Sequence, residues 1–124
     1  MNNKPSIFLK DHCHLAANTY AACIEFHLDE HHRQAFNASQ LIAYALEPNP
    51  DADDDRNAPP QKLSLTFSTA DVVILGWRLG LIADYLRDNR LSSVCILPRR
   101  YAELDRCVSY VSNITIKPIA KNND

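Results

Sequence analysis

Two glycines in 124 residues is a low count. It excludes a fold that depends on many left-handed turns or on glycine-cradled ligands, because glycine is the usual residue for both. The four cysteines, Cys13, Cys23, Cys95 and Cys107, contain no CxxC pair, and none carries a local signature of a cysteine nucleophile. A GxSxG elbow is missing as well, so nothing points to a serine nucleophile. The chain opens Met-Asn-Asn-Lys-Pro, with no apolar run of signal-peptide length and none long enough to span a bilayer. The expectation is a cytoplasmic protein without a membrane segment. Its cysteines are then reduced and mostly buried as small hydrophobes.

What is present is ordinary for a globular chain. Apolar residues make up 46% and charged residues 23%. The length suits a single domain over residues 1–124. The net charge of −2 is unevenly spread. Residues 1–77 hold Lys4, Lys10, Arg33, Arg56 and Lys62 against ten carboxylates, four of them between Asp51 and Asp55, whereas residues 78–124 carry a cationic excess. One acidic loop accounts for most of this asymmetry.

The clearest reading runs from Lys62 to Leu97. Leu63, Leu65 and Phe67 alternate with Lys62, Ser64 and Thr66, the pattern of a half-buried strand. Ser68 to Asp71 makes a turn, and Val72-Val73-Ile74-Leu75 reads as a central strand. Leu79, Ile82, Ala83 and Leu86 form one apolar face of a helix over about 78–89, with Asn89 as its stop. Val94 to Leu97 is the next strand. Pro98 opens a short helix over about 99–105, and Val108, Tyr110, Ile114 and Ile116 mark a last strand closed by Pro118.

The N-terminal half is less legible. Ser6 to Leu9 fits a short edge strand, residues 11–22 have enough alanine for a helix, and Tyr20 to Leu28 reads as a strand. Residues 37–47 carry two conflicting signals. Asn37 with Gln40 mimics a capping box, whereas Ile42, Tyr44 and Leu46 alternate with Ala43 and Ala45 at a period of two. The strand is favoured. Residues 48–61 form an acidic, proline-rich loop whose composition offers nothing to pack, so mobility is expected there, and the tail at 119–124 is expected to fray. Short connections imply mostly antiparallel pairing. The expected fold is α+β: a mainly antiparallel sheet of about five strands, with both helices packed on one face.

Four constellations bear on chemistry. Strand, Gly76, then helix resembles the setting of a dinucleotide turn, but that turn needs glycine at its first, third and sixth positions. Arg78 and Leu81 occupy the third and sixth, so no nucleotide cofactor is expected, and Gly76 and Gly80 read as a strand-end glycine and a close helix–sheet approach. The histidines His12, His14, His27 and His31 are ligand types without a motif, and they support a zinc-binding protein or a metal-dependent enzyme only as an alternative. Asp51, Asp53 and Asp55 imitate the start of a calcium loop, but Arg56 stands where its glycine belongs and Lys62 where its glutamate belongs. Arg87, Arg90, Arg99, Arg100 and Arg106 are interleaved with Asp84, Asp88, Glu103 and Asp105, which argues against a nucleic-acid stripe and leaves nucleic-acid binding through residues 87–106 as a second alternative. The leading expectation is therefore a non-enzymatic domain that works through protein contacts. Its partner is a second copy or another protein, with Trp77, Tyr101, Arg99 and Arg100 as candidate interface residues.

Overall fold

The computed structural model describes residues 13–52, 58–96 and 109–119. Eight strands and one α-helix follow in order: β1 (His14–Ala16), β2 (Cys23–His27), β3 (Arg33–Asn37), β4 (Leu41–Pro48), β5 (Gln61–Phe67), β6 (Ala70–Trp77), α1 (Gly80–Arg87), β7 (Leu91–Cys95) and β8 (Tyr110–Pro118). They form two four-stranded sheets, in the orders β1-β7-β2-β3 and β4-β5-β6-β8. The α+β character and the antiparallel bias of the expected fold hold. The single five-stranded sheet does not.

The second sheet is the part that the apolar patterning predicts. In β5 the alternation puts Leu63, Leu65 and Phe67 fully inside, because successive strand side chains point to opposite faces. β6 is central as its apolar run requires, pairing antiparallel with β5 on one side and β8 on the other.

The first sheet is where the sequence reading falls short. Of the expected helix at 11–22, the described residues 13–22 form the three-residue β1 rather than a helix. The segment Arg33–Asn37 offers one buried side chain, Phe36, too little apolar periodicity to announce a strand. Its pairing comes instead from the β2–β3 hairpin, where Ile24 faces Phe36 and His27 faces Arg33. β2 and β7 pair in parallel, Glu25 beside Ser93 and His27 beside Cys95. The chain between them passes through β3, the β4–β6 meander and α1 before it returns.

Both signals at residues 37–47 are real. Asn37 Oδ1 accepts the Ser39 N–H at 3.0 Å and opens a 3-10 turn over Ala38–Gln40. The turn stops after three residues because the period-two segment beyond it pairs with β5.

Phe36 and Phe67 stack at 4.7 Å, and Phe26 meets Phe36 and Phe67 edge-on at 6.0 and 6.3 Å. This cluster joins the sheets into one core, because Phe26 and Phe36 come from the first and Phe67 from the second. α1 buries Ile82, Ala83 and Leu86 and touches both β4 and β7, one strand of each sheet. It ends in a Schellman arrangement: Asn89 N–H reaches the Leu86 carbonyl at 3.1 Å, and Arg90 N–H reaches Tyr85 at 2.8 Å. Asn89 takes the left-handed conformation this requires, with φ 57°. The expected helix at 99–105 lies outside the described residues. Among those described, no helix is long and apolar enough to cross a membrane.

Candidate functional site

Among the described residues the two sheets leave four edges, and three are blunted. β1 has three residues; β3 carries Arg33, Gln34 and Asn37; β8 carries Asn113, Thr115 and Lys117. Short length and edge charges suppress further strand pairing. β4 differs. It is eight residues long and carries one charge, at Glu47, as β8 carries one at Lys117, but unlike β8 it exposes almost every side chain.

Its exposed side chains are apolar. Ile42 is 68% exposed, Tyr44 39% and Leu46 38%. Tyr44 lies opposite Leu65 and Leu46 opposite Leu63, so both sit on the face that becomes core one strand further in. Ile42 falls at a register shift between Leu41 and Ala43. The row is thus an open lip of the core. α1 approaches it at its C-terminal end, where Arg87 is held above its ordinary range by Asp88 first, then Asp84, with a smaller effect from Tyr44.

The backbone completes the edge. Asn49 N–H donates to the Pro60 carbonyl at 2.9 Å, and hydrogen-bonded pairs alternate along an antiparallel ladder. In the β4–β5 register, Glu47, Ala45 and Ala43 therefore turn their N–H and C=O groups toward β5. Tyr44 and Leu46 turn theirs outward, and among the described residues no strand pairs with that side. Pro48 has no N–H and ends the donor row.

The candidate metal ligands do not gather on the sheet. His14 pairs with Val94, which pairs with Phe26, so His14 shares the core face of the first sheet. Its Nδ1 lies 2.8 Å from Ser109 Oγ, and its ring is 5.5 Å from Tyr85. His27 points to the opposite face, with Nε2 2.6 Å from Glu25 Oε1. Arg33 Nη1 approaches the same oxygen at 3.7 Å. His31 is exposed on the β2–β3 turn, where its N–H donates to Asp29 Oδ1 at 2.7 Å. Among the described residues, no three His, Cys, Asp or Glu side chains come together in a way that could hold a metal. His12 lies outside them.

Other sequence candidates divide in the same way. Trp77 is half-buried and tilts against Tyr110 at 5.0 Å. Arg87 is taken up by Asp84 and Asp88. Arg90 lies over the Tyr85 ring at 5.4 Å and donates to the Ala17 carbonyl at 2.8 Å. Tyr101, Arg99, Arg100 and Arg106 are outside the described residues. Gly80 makes no close approach: a Cβ placed there would meet nothing within 4 Å.

No family model, curated protein or solved structure matches this chain. Geometry alone therefore singles out the β4 edge. Sequence reasoning recognised β4 as a strand but not as an edge. The available signal was the uncharged run from Gln40 to Leu46, whose second face holds only Ala43 and Ala45.

Proposed function

We propose that this protein is a protein-contact domain that self-associates by strand addition at β4. The observation that carries the reading is an eight-residue, nearly uncharged edge strand with an apolar row continuous with the core. Strand addition supplies main-chain hydrogen bonds from the outward Tyr44 and Leu46 groups and burial from the side chains above them.

A second copy suits this edge because the edge is self-complementary. Two β4 strands placed antiparallel about a two-fold axis at Tyr44 put Tyr44 against its own counterpart and Ile42 against Leu46. Each Glu47 then lies toward the far end of the other strand, so like charges are not opposed. Such an isologous contact closes on itself as a dimer. A cytoplasmic setting belongs to the same proposal. It is supported by Cys13, Cys23 and Cys95 being thiols rather than disulfides.

Sedimentation velocity from low to high micromolar concentration tests the reading. The wild type should be dimeric at the upper end. Ile42→Lys, placed on the most exposed residue of the row, should weaken association by about 100-fold, equivalent to roughly 3 kcal/mol, because it sets a charge into the new interface. A wild-type protein that stays monomeric throughout, or an Ile42→Lys variant that dimerises as well as wild type, refutes the proposal.

A further inference from the structure

Two thiols meet at the end of the β1–β7 ladder. The pairing sets His14 opposite Val94 and Leu15 opposite Ser93. One residue further, Cys95 N–H donates to the Cys13 carbonyl at 2.8 Å, which places Cys13 and Cys95 directly opposite each other. Opposite residues in a hydrogen-bonded antiparallel pair have Cα atoms about 5.5 Å apart. That separation lies within the range of about 4.4–6.8 Å that a disulfide spans.

The side chains are arranged to match. The Cys13 thiol hydrogen-bonds the Cys95 sulfur and holds the Cys95 thiol below its usual range, against the opposing effect of burial. Val111 N–H in turn donates to Cys13 Sγ at 3.2 Å. Cys13 is fully buried and Cys95 is 8% exposed. That favours a small oxidant and makes Cys95 the sulfur met first. The pair sits where β1 begins and β7 ends, and strand ends open at lower free energy than strand centres.

We propose that Cys13 and Cys95 form an oxidisable dithiol that closes to an intramolecular cross-strand disulfide when exposed to a peroxide. Cys95 thiolate attacks one peroxide oxygen, the O–O bond breaks, and sulfenic acid forms as hydroxide leaves and takes up a proton. Cys13 sulfur then attacks the Cys95 sulfur, the S–OH bond breaks, and water departs with the proton released by Cys13. The two thiols are oxidised, and one hydrogen peroxide is reduced to two waters. The closed bond staples β1 to β7 across more than half of the chain, and long closed loops stabilise most.

Mapping the linkage tests this in the full-length protein. Cys13 and Cys23 share the tryptic fragment 11–33, Cys95 lies in fragment 91–99, and Cys107 begins a separate fragment after Arg106. In a Cys23→Ser background, hydrogen peroxide treatment followed by a non-reducing digest should join fragments 11–33 and 91–99. Dithiothreitol should separate them. The oxidised monomer should melt several degrees above the reduced one, and Cys95→Ser should remove both effects. Fragments that stay unlinked with Cys13 and Cys95 still open to alkylation after unfolding overturn the proposal. So does a linkage through Cys107, or one found only between chains. The primary readout needs only the Cys23→Ser protein, so a poorly folding Cys95 variant leaves the test intact.

Discussion

The two glycines respond oppositely to alanine, and the difference follows from their surroundings. A Cβ on Gly76 would lie 2.0 Å from the Tyr110 carbonyl oxygen, 3.0 Å from the Tyr110 carbonyl carbon and 3.1 Å from Leu79 Cδ2. The close approach arises at the register shift between Leu75 and Gly76, where β6 and β8 step past each other. Relief requires the β8 backbone to move by about 1 Å, a large fraction of the slack in strands about 4.8 Å apart. Overpacking of this kind costs about 1–3 kcal/mol, and each ladder hydrogen bond lost adds about 1 kcal/mol. Removing glycine's unfolded-state freedom returns only about 0.4–1 kcal/mol. With one ladder bond lost, Gly76→Ala should therefore lose about 1–4 kcal/mol.

Gly80 opens α1 and has no atom within 4 Å of the position a Cβ would take. Gly80→Ala should gain about 0.5–1 kcal/mol through helix propensity and the unfolded chain. Urea unfolding followed by circular dichroism and by fluorescence reads both variants. Trp77, the single tryptophan, adjoins Gly76 in β6 and packs on Tyr110, so its emission reports the perturbed site. A Gly76→Ala protein within about 0.5 kcal/mol of wild type, or a Gly80→Ala protein less stable than Gly76→Ala, would show that the β6–β8 approach does not constrain Gly76.

Phe67→Ala should cost about 3–5 kcal/mol, since Phe67 is fully buried and holds Phe26 and Phe36 of the other sheet. Dichroism and Trp77 fluorescence should still report one shared transition, and two separated melts would show that the sheets do not share a core. Asp29 should titrate below the ordinary carboxylate value, because the His31 N–H, followed by the His32 side chain, stabilises its charged form. With the folded value depressed, its contribution is present above the unfolded value and lost as pH falls through the folded one. Carboxyl-carbon NMR checks this, and a midpoint at or above the ordinary value excludes it. The Ile42→Lys dissociation and the Cys13–Cys95 linkage complete the set.

How much was legible in the sequence varies from element to element. β5 and α1 were readable because each must bury one face, and burial imposes a period of two on Leu63, Leu65 and Phe67 and of 3.6 on Leu79, Ile82 and Leu86. β8 likewise announced itself through Tyr110 and Ile114, both buried. β1 and β3 did not, because three residues at β1 and a lone buried Phe36 in β3 carry no period at all. The β4 edge was half legible. Its alternation was visible, but whether the bulky face met core or solvent depended on what packed beside it.

By itself, then, the sequence determined which segments are amphipathic and with what period, and it set Arg78 and Leu81 where a dinucleotide turn needs glycine. Burial of apolar side chains is a local requirement that each segment writes into its own residues. The tertiary structure alone decided the rest. It split the strands into two sheets, paired β2 with β7 in parallel, left the outer side of β4 unpaired among the described residues, and set Cys13 opposite Cys95. These are contacts between residues far apart in the chain. They arise from how whole elements share one core, and no short stretch of sequence carries that information.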